Sequence, residues 1–155
     1  MKVSNLLYKR LKRLIAVSLM FTSWSLINPT RLIYNSKIPP LKNPLVTQRV
    51  STNHQGVDLV DRMNNKNVYS ITRCRVTDKG FTGNKTPYIT CYDFENQIYY
   101  KYLHITSIFE RNQILDVGDI IGEYNNEGKA TGFHLHLEVY DKKNNFYKDG
   151  LKEYE

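Results

Sequence analysis

Between Val68 and Tyr102 the chain cannot sustain a helix. Short runs rich in Tyr, Ile, Val and Thr are cut every few residues by turn-forming clusters. Tyr69–Val76, Tyr88–Phe94 and Ile98–Leu103 are the runs; Asp78-Lys79-Gly80 and Thr82-Gly83-Asn84 read as turns, and Glu95-Asn96 as the turn of a hairpin. β-branched and aromatic side chains suit a pleated, half-buried surface, and short strands punctuated by turn signals point to a mainly β domain. Helical periodicity is scarce after residue 45. With 155 residues, 41% of them hydrophobic, the chain is large enough for one domain with a real core and a modest appendage.

The most informative strand comes late. In Thr131-Gly132-Phe133-His134-Leu135-His136-Leu137-Glu138-Val139-Tyr140, two histidines alternate with two leucines. The period-2 geometry of a strand sends both imidazoles to one face and both leucines to the other. Apolar packing behind and nitrogen donors in front is what a metal site on a rigid sheet requires. An ordinary half-buried strand could carry the same pattern, so the weight falls on the other two of the four histidines.

His54 precedes Asp58 by four positions, with Gly56 between them allowing a tight backbone. A neutral imidazole and a carboxylate are both good zinc donors. Tyr102-Leu103-His104-Ile105 places His104 at the end of a strand. Ile114–Gly122 holds two short apolar runs around a Gly118-Asp119 turn, and the polar loop Asn125–Gly132 leads into the His134–His136 strand. Cys74 and Cys91 fall in two of the β runs without the spacing of a thiolate metal site; either two buried free thiols or a disulfide is compatible with the sequence.

Charge is unevenly placed. Residues 1–50 hold nine Lys/Arg and no Asp or Glu, whereas residues 51–155 hold thirteen Lys/Arg against fifteen Asp/Glu, a net of −2. The domain therefore has no basic stripe, and nucleic acid is not an expected partner despite the overall net charge of +7. The basic excess flanks an apolar run from Leu14 to Ile27, the pattern of a secretory signal or a short signal-anchor. The sequence predicts an N-terminal hydrophobic helix over residues 1–28, then an extended Pro-bearing linker over 29–45. A domain over 46–148 and a charged tail over 149–155 follow. The expected localisation is export, either membrane-anchored through the N-terminal segment or secreted to the cell envelope.

Taken in order, four motifs resemble the lysostaphin-like (LytM-type) zinc metalloendopeptidases, a family of peptidoglycan hydrolases. They are His54-x-x-x-Asp58 with Gly56 and Leu59; Tyr102-Leu103-His104-Ile105; Gly118-Asp119 with Gly122; and Thr131-Gly132-x-His134-Leu135-His136-Leu137-Glu138. All four histidines fall on family positions, and the resemblance spans roughly residues 44–140. It implies an antiparallel β-sheet domain of the duplicated hybrid motif type. It also implies one zinc per chain bound by His54, Asp58 and His136, with His104 and His134 as catalytic histidines that do not bind the metal. Either of the latter is a candidate base. Tyr102, Thr131 and Phe133 are the expected substrate-groove residues, and bacterial peptidoglycan the expected partner. Phe133 stands where the family usually has proline, and Leu137 where it usually has phenylalanine.

No His-Glu-x-x-His is present, which excludes a thermolysin-type site, and there is no Gly-x-Ser-x-Gly nucleophile. Two other readings remain open from the sequence. One is a catalytically silent module that binds the wall or activates another hydrolase. The other is a phage-encoded, virion-associated or lysis protein that opens the wall.

Overall fold

The computed structural model describes residues 37–154. The expected N-terminal hydrophobic helix lies outside the described residues, as do residues 29–36 of the linker. Ten strands follow one another: β1 (Pro44–Gln48), β2 (Val57–Asp61), β3 (Asn67–Tyr69), β4 (Cys74–Phe81) and β5 (Pro87–Asp93), then β6 (Ile98–Leu103), β7 (Ile105–Ser107), β8 (Ile114–Leu115), β9 (Ile120–Tyr124) and β10 (Leu135–Asp141). A 3-10 helix, Lys148–Tyr154, ends the described chain. Among the described residues no helix is long and apolar enough to cross a membrane.

The strands form a seven-stranded sheet in the order β1-β2-β10-β6-β5-β4-β8 and a three-stranded sheet in the order β3-β9-β7. Every pairing is antiparallel. The mainly β, antiparallel expectation therefore holds. The last strand in the sequence, β10, is inserted between β2 and β6, so His136 is flanked by segments far away in sequence.

Alternation decides which face each strand buries. β5 and β10 are buried at every second residue, Leu135, Leu137 and Val139 reaching 0% exposure. Together with Val57 and Leu59 of β2, Tyr100 and Tyr102 of β6, and Ile89 and Cys91 of β5, they form one apolar cluster. Val68, Ile105 and Ile121 of the small sheet belong to that cluster as well. Each such side chain removed from water contributes roughly 1.5–3 kcal/mol, which is what fixes the register: a one-residue slip of β10 would turn the leucines out and the histidines in.

Three local expectations are corrected. Asp78-Lys79-Gly80 is not a turn; β4 runs through it, pairing Asp78 with Thr90, Lys79 with Ile89 and Gly80 with Tyr88 after an irregularity between Val76 and Asp78. The Asp78 carboxylate is held on the sheet by the Tyr88 hydroxyl at 2.7 Å, the Lys79 amide and the Arg111 guanidinium. The charged tail is partly folded, because Leu151 and Tyr154, three residues apart on the 3-10 helix, are both buried. The described end of the linker is built into the domain: the Ile38 amide donates to the Ile71 carbonyl, Pro40 accepts from the Tyr69 amide, and Leu41 lies in the core. Cys74 and Cys91 sit on neighbouring strands as free, buried thiols.

Candidate metal centre and active site

Asp58 of β2 and His136 of β10 are direct cross-strand partners, so the sheet register itself brings them together. His136 Nδ1 lies 2.7 Å from Asp58 Oδ1, and His54 Nε2, delivered by the turn that precedes β2, lies 3.2 Å from the same oxygen. The donor atoms of His54, Asp58 and His136 all lie within 4.8 Å of one another. His134, immediately before β10, places Nε2 3.7 Å from Asp58 Oδ1, and its ring stands 4.5 Å from that of His104. The five side chains named from the sequence thus converge on one point of the sheet.

Gly56 makes this approach possible. Its φ is +130°, and a Cβ there would lie 2.6 Å from His136 Nε2 and 2.8 Å from the Leu137 carbonyl. Glycine is the residue that tolerates both the backbone and the proximity. His104, the single residue between β6 and β7, also has left-handed backbone, with φ of 57°. Its amide donates to the Pro87 carbonyl and its carbonyl accepts from the Asn125 amide at 2.7 Å, so the surrounding chain holds it in a conformation that a non-glycine residue seldom adopts.

Each imidazole has one nitrogen against a backbone carbonyl. His54 Nδ1 faces Arg49 O at 3.1 Å, His104 Nδ1 faces Glu127 O at 2.8 Å, His134 Nδ1 faces Gly132 O at 2.9 Å, and His136 Nε2 faces Gln55 O at 2.9 Å. A carbonyl only accepts, so the nitrogen facing it must carry the proton. In the neutral rings the free lone pair is therefore Nε2 on His54, His104 and His134 and Nδ1 on His136. For His54 and His136 that is the nitrogen turned to Asp58.

Burial and charge tune these groups against each other. Burial pushes the Asp58 carboxyl up, but the hydrogen bond and positive charge of His136, with His134 and His54 behind it, bring it below the usual carboxylate range. His136 is the reverse case: burial lowers it, while Asp58 and then Glu138 outweigh burial and raise it to about 9. His104 falls below the ordinary imidazole value, chiefly through burial, against the opposing pull of the Glu127 carbonyl. At neutral pH it is a neutral base.

The expected groove residues fare differently. Thr131 is exposed and Phe133 is 49% exposed next to His134, with the Lys66 ammonium 3.7 Å from the centre of its ring. Tyr102 is corrected: it is wholly buried, and its hydroxyl accepts from the Ile71 amide at 3.3 Å. Alternation along β6 sends Tyr100 and Tyr102 to the core, and Tyr99 and Lys101 to the other face. Glu138, unassigned among the expected site residues, lies on the same face as His136 by the period-2 rule.

The donor chemistry fits a divalent transition metal. Two imidazole nitrogens and one carboxylate oxygen make a three-ligand set of the kind found in catalytic zinc sites, with two further histidines beside it. Residues 52–147 match the family model described as Peptidase family M23, more than half of the chain, and the protein belongs to that family.

Solved structures agree on the fold. A zinc-containing peptidase from Vibrio cholerae superposes with a TM-score of 0.58 at 19% identity, covering 72% of this chain and 39% of that one. The antimicrobial peptidase lysostaphin from Staphylococcus simulans gives a TM-score of 0.55 at 21% identity, over 69% of this chain and 45% of that one. A mutant catalytic domain of the prophage-encoded M23 protein EnpA from Enterococcus faecalis gives 0.59 at 15% identity, over 70% and 91%. The chain thus spans less than half the length of the first two of these proteins. No curated protein matches it.

Proposed function

We propose that the protein is a zinc-dependent endopeptidase that hydrolyses peptide bonds in the stem peptides or cross-bridges of bacterial peptidoglycan. The observation that carries this reading is the convergence of a His54–Asp58–His136 donor set with two further histidines whose Nδ1 protons are committed to backbone carbonyls. Family membership supports the peptidase class, and the lysostaphin-like architecture supports the wall as substrate.

His54 Nε2, Asp58 Oδ1 and His136 Nδ1 would hold the metal. Bound zinc supplies a Lewis acid that polarises the scissile carbonyl and makes water a competent nucleophile near neutral pH. The rest is done by the chain. His104 is neutral at that pH, and with Nδ1 tied to Glu127 O it offers Nε2 to take a proton from the attacking water. His134, ring to ring with His104, is fixed in the same tautomer. Once protonated, either imidazole can donate to the developing oxyanion or return a proton to the leaving amine. Thr131 and Phe133 flank this point and would meet the substrate peptide.

The basic, apolar N-terminal segment supports placing the domain outside the cytoplasm, anchored or released, where its substrate lies. Release of soluble muropeptides from purified peptidoglycan by the full chain, abolished by chelation and restored by zinc, is the expected result. Stoichiometric zinc binding without cleavage of any of several wall types would instead assign a catalytically silent wall-binding module.

A further inference from the structure

The face of β10 that carries His136 continues through Glu138 to Tyr140. Glu138 is no solvated surface carboxylate, since its side chain is only 12% exposed. Oε1 lies 3.3 Å from His136 Nε2, so the proton on that nitrogen is shared between Gln55 O and Glu138. Oε2 accepts from the Tyr140 hydroxyl at 2.8 Å and faces the Lys101 ammonium at 3.3 Å. Lys101 is the direct cross-strand partner of Glu138 on β6, and its position is fixed further by the face of Tyr88, 5.2 Å away. A carboxylate this far out of water is disfavoured unless its oxygens are satisfied, and here each oxygen has a donor.

This arrangement has a direction. One carboxylate oxygen addresses the nitrogen of His136 that faces away from the metal position; the other is clamped by Lys101 and Tyr140. A carboxylate placed behind a ligating imidazole fixes its tautomer and ring orientation and strengthens it as a donor. The Gln55 carbonyl alone would accept the proton, but it adds no charge and belongs to a loop rather than to the sheet.

We propose that Glu138 is a positioning residue, held by Lys101 and Tyr140, that keeps the proton of His136 on Nε2 and its Nδ1 turned to the metal position shared with His54 and Asp58. The inference rests on reading that position as a zinc site. It adds to it a carboxylate whose effect is exerted through His136 and not on the substrate.

The test is zinc affinity of the full chain, measured by competition with a chromophoric chelator for the wild type, Glu138→Ala, Glu138→Gln, Lys101→Ala and Glu110→Ala. Glu138→Ala should weaken zinc binding roughly 10- to 100-fold, the range for loss of such a partner. Glu138→Gln, which keeps an oxygen acceptor but loses the charge, should fall between it and the wild type. Lys101→Ala, which releases the clamp, should weaken binding less than Glu138→Ala and carries the test if that variant does not fold. Glu110→Ala, removing an exposed carboxylate paired with Lys79, should leave affinity unchanged. Peptidase activity of Glu138→Gln should recover at saturating zinc, which a general loss of structure would not permit. Affinity within twofold of wild type in folded Glu138→Gln and Lys101→Ala would overturn the proposal while leaving the zinc site intact. Absence of zinc binding in the wild type would overturn the site itself.

Discussion

Removing the metal should expose an ion pair whose loss can be read as a slope of stability against pH. In the metal-free protein His136 and Asp58 form a charged hydrogen bond of 2.7 Å between side chains only 12% and 13% exposed. Against the lowering effect of burial, Asp58 and then Glu138 raise His136 to about 9, from an ordinary value of about 6.5. Because the folded-state value is raised, the contribution is fully present below about pH 6.5, where folded and unfolded chains both hold the proton. It is lost as pH rises through about 9. At about 1.4 kcal/mol per pH unit the interval corresponds to about 3 kcal/mol, an upper value for His136 with both its carboxylate partners, taken once. Urea denaturation of the metal-stripped protein at half-unit steps from pH 6 to 9.5 measures it, with His136→Gln as the reference that subtracts every other titrating group. The wild type should lose about 2–3 kcal/mol relative to that variant across the interval. With saturating zinc the decline should vanish, because the metal takes the place of the proton. A constant difference between wild type and His136→Gln over the whole range would refute the pairing.

Other consequences follow from the same packing. Gly56→Ala should abolish stoichiometric zinc binding and lower the denaturation midpoint, since its Cβ would collide with His136 Nε2 at 2.6 Å and the backbone conformation is unfavourable for alanine; unchanged zinc content would contradict the close approach. Leu137→Ala, at a position with 0% exposure directly behind the histidine face, should cost about 2–5 kcal/mol in chemical denaturation without changing zinc stoichiometry in the folded fraction. Cys74 and Cys91 should be inert to an aromatic disulfide reagent in the native protein and react fully in denaturant, both being free and buried; rapid reaction of either thiol in the folded state would count against the core.

How much of this was legible beforehand depends on what each residue's identity encodes. Ile98–Leu103 is a strand with the bounds its sequence suggests, because period-2 alternation of large side chains has one good solution on a sheet. Imidazole and carboxylate side chains made the five converging residues candidates one by one, but each motif alone is weak; it was the resemblance of the four ordered motifs that gathered them into one set, and the structure brings them together. Asp78-Lys79-Gly80 misled because turn-forming residues can sit in a strand when the neighbouring strand supplies pairing and the aspartate finds side-chain partners. Tyr102 misled because proximity in sequence to His104 says nothing about face; the left-handed backbone at His104 turns the chain where simple alternation would have continued. Leu151 and Tyr154 were hidden among charged neighbours, with too short a segment to show a period. The carbonyls of Arg49, Gln55, Glu127 and Gly132, which set every tautomer in the site, belong to the backbone and leave no mark in residue type.

Metal content measured together with wall cleavage tests the zinc site most directly. Elemental analysis of the full chain, of Asp58→Ala and of His104→Ala should give one zinc per chain in the wild type and in His104→Ala, and none in Asp58→Ala, with muropeptide release lost in both variants. Zinc retained by Asp58→Ala, or absent from the wild type, would contradict the assignment of the site.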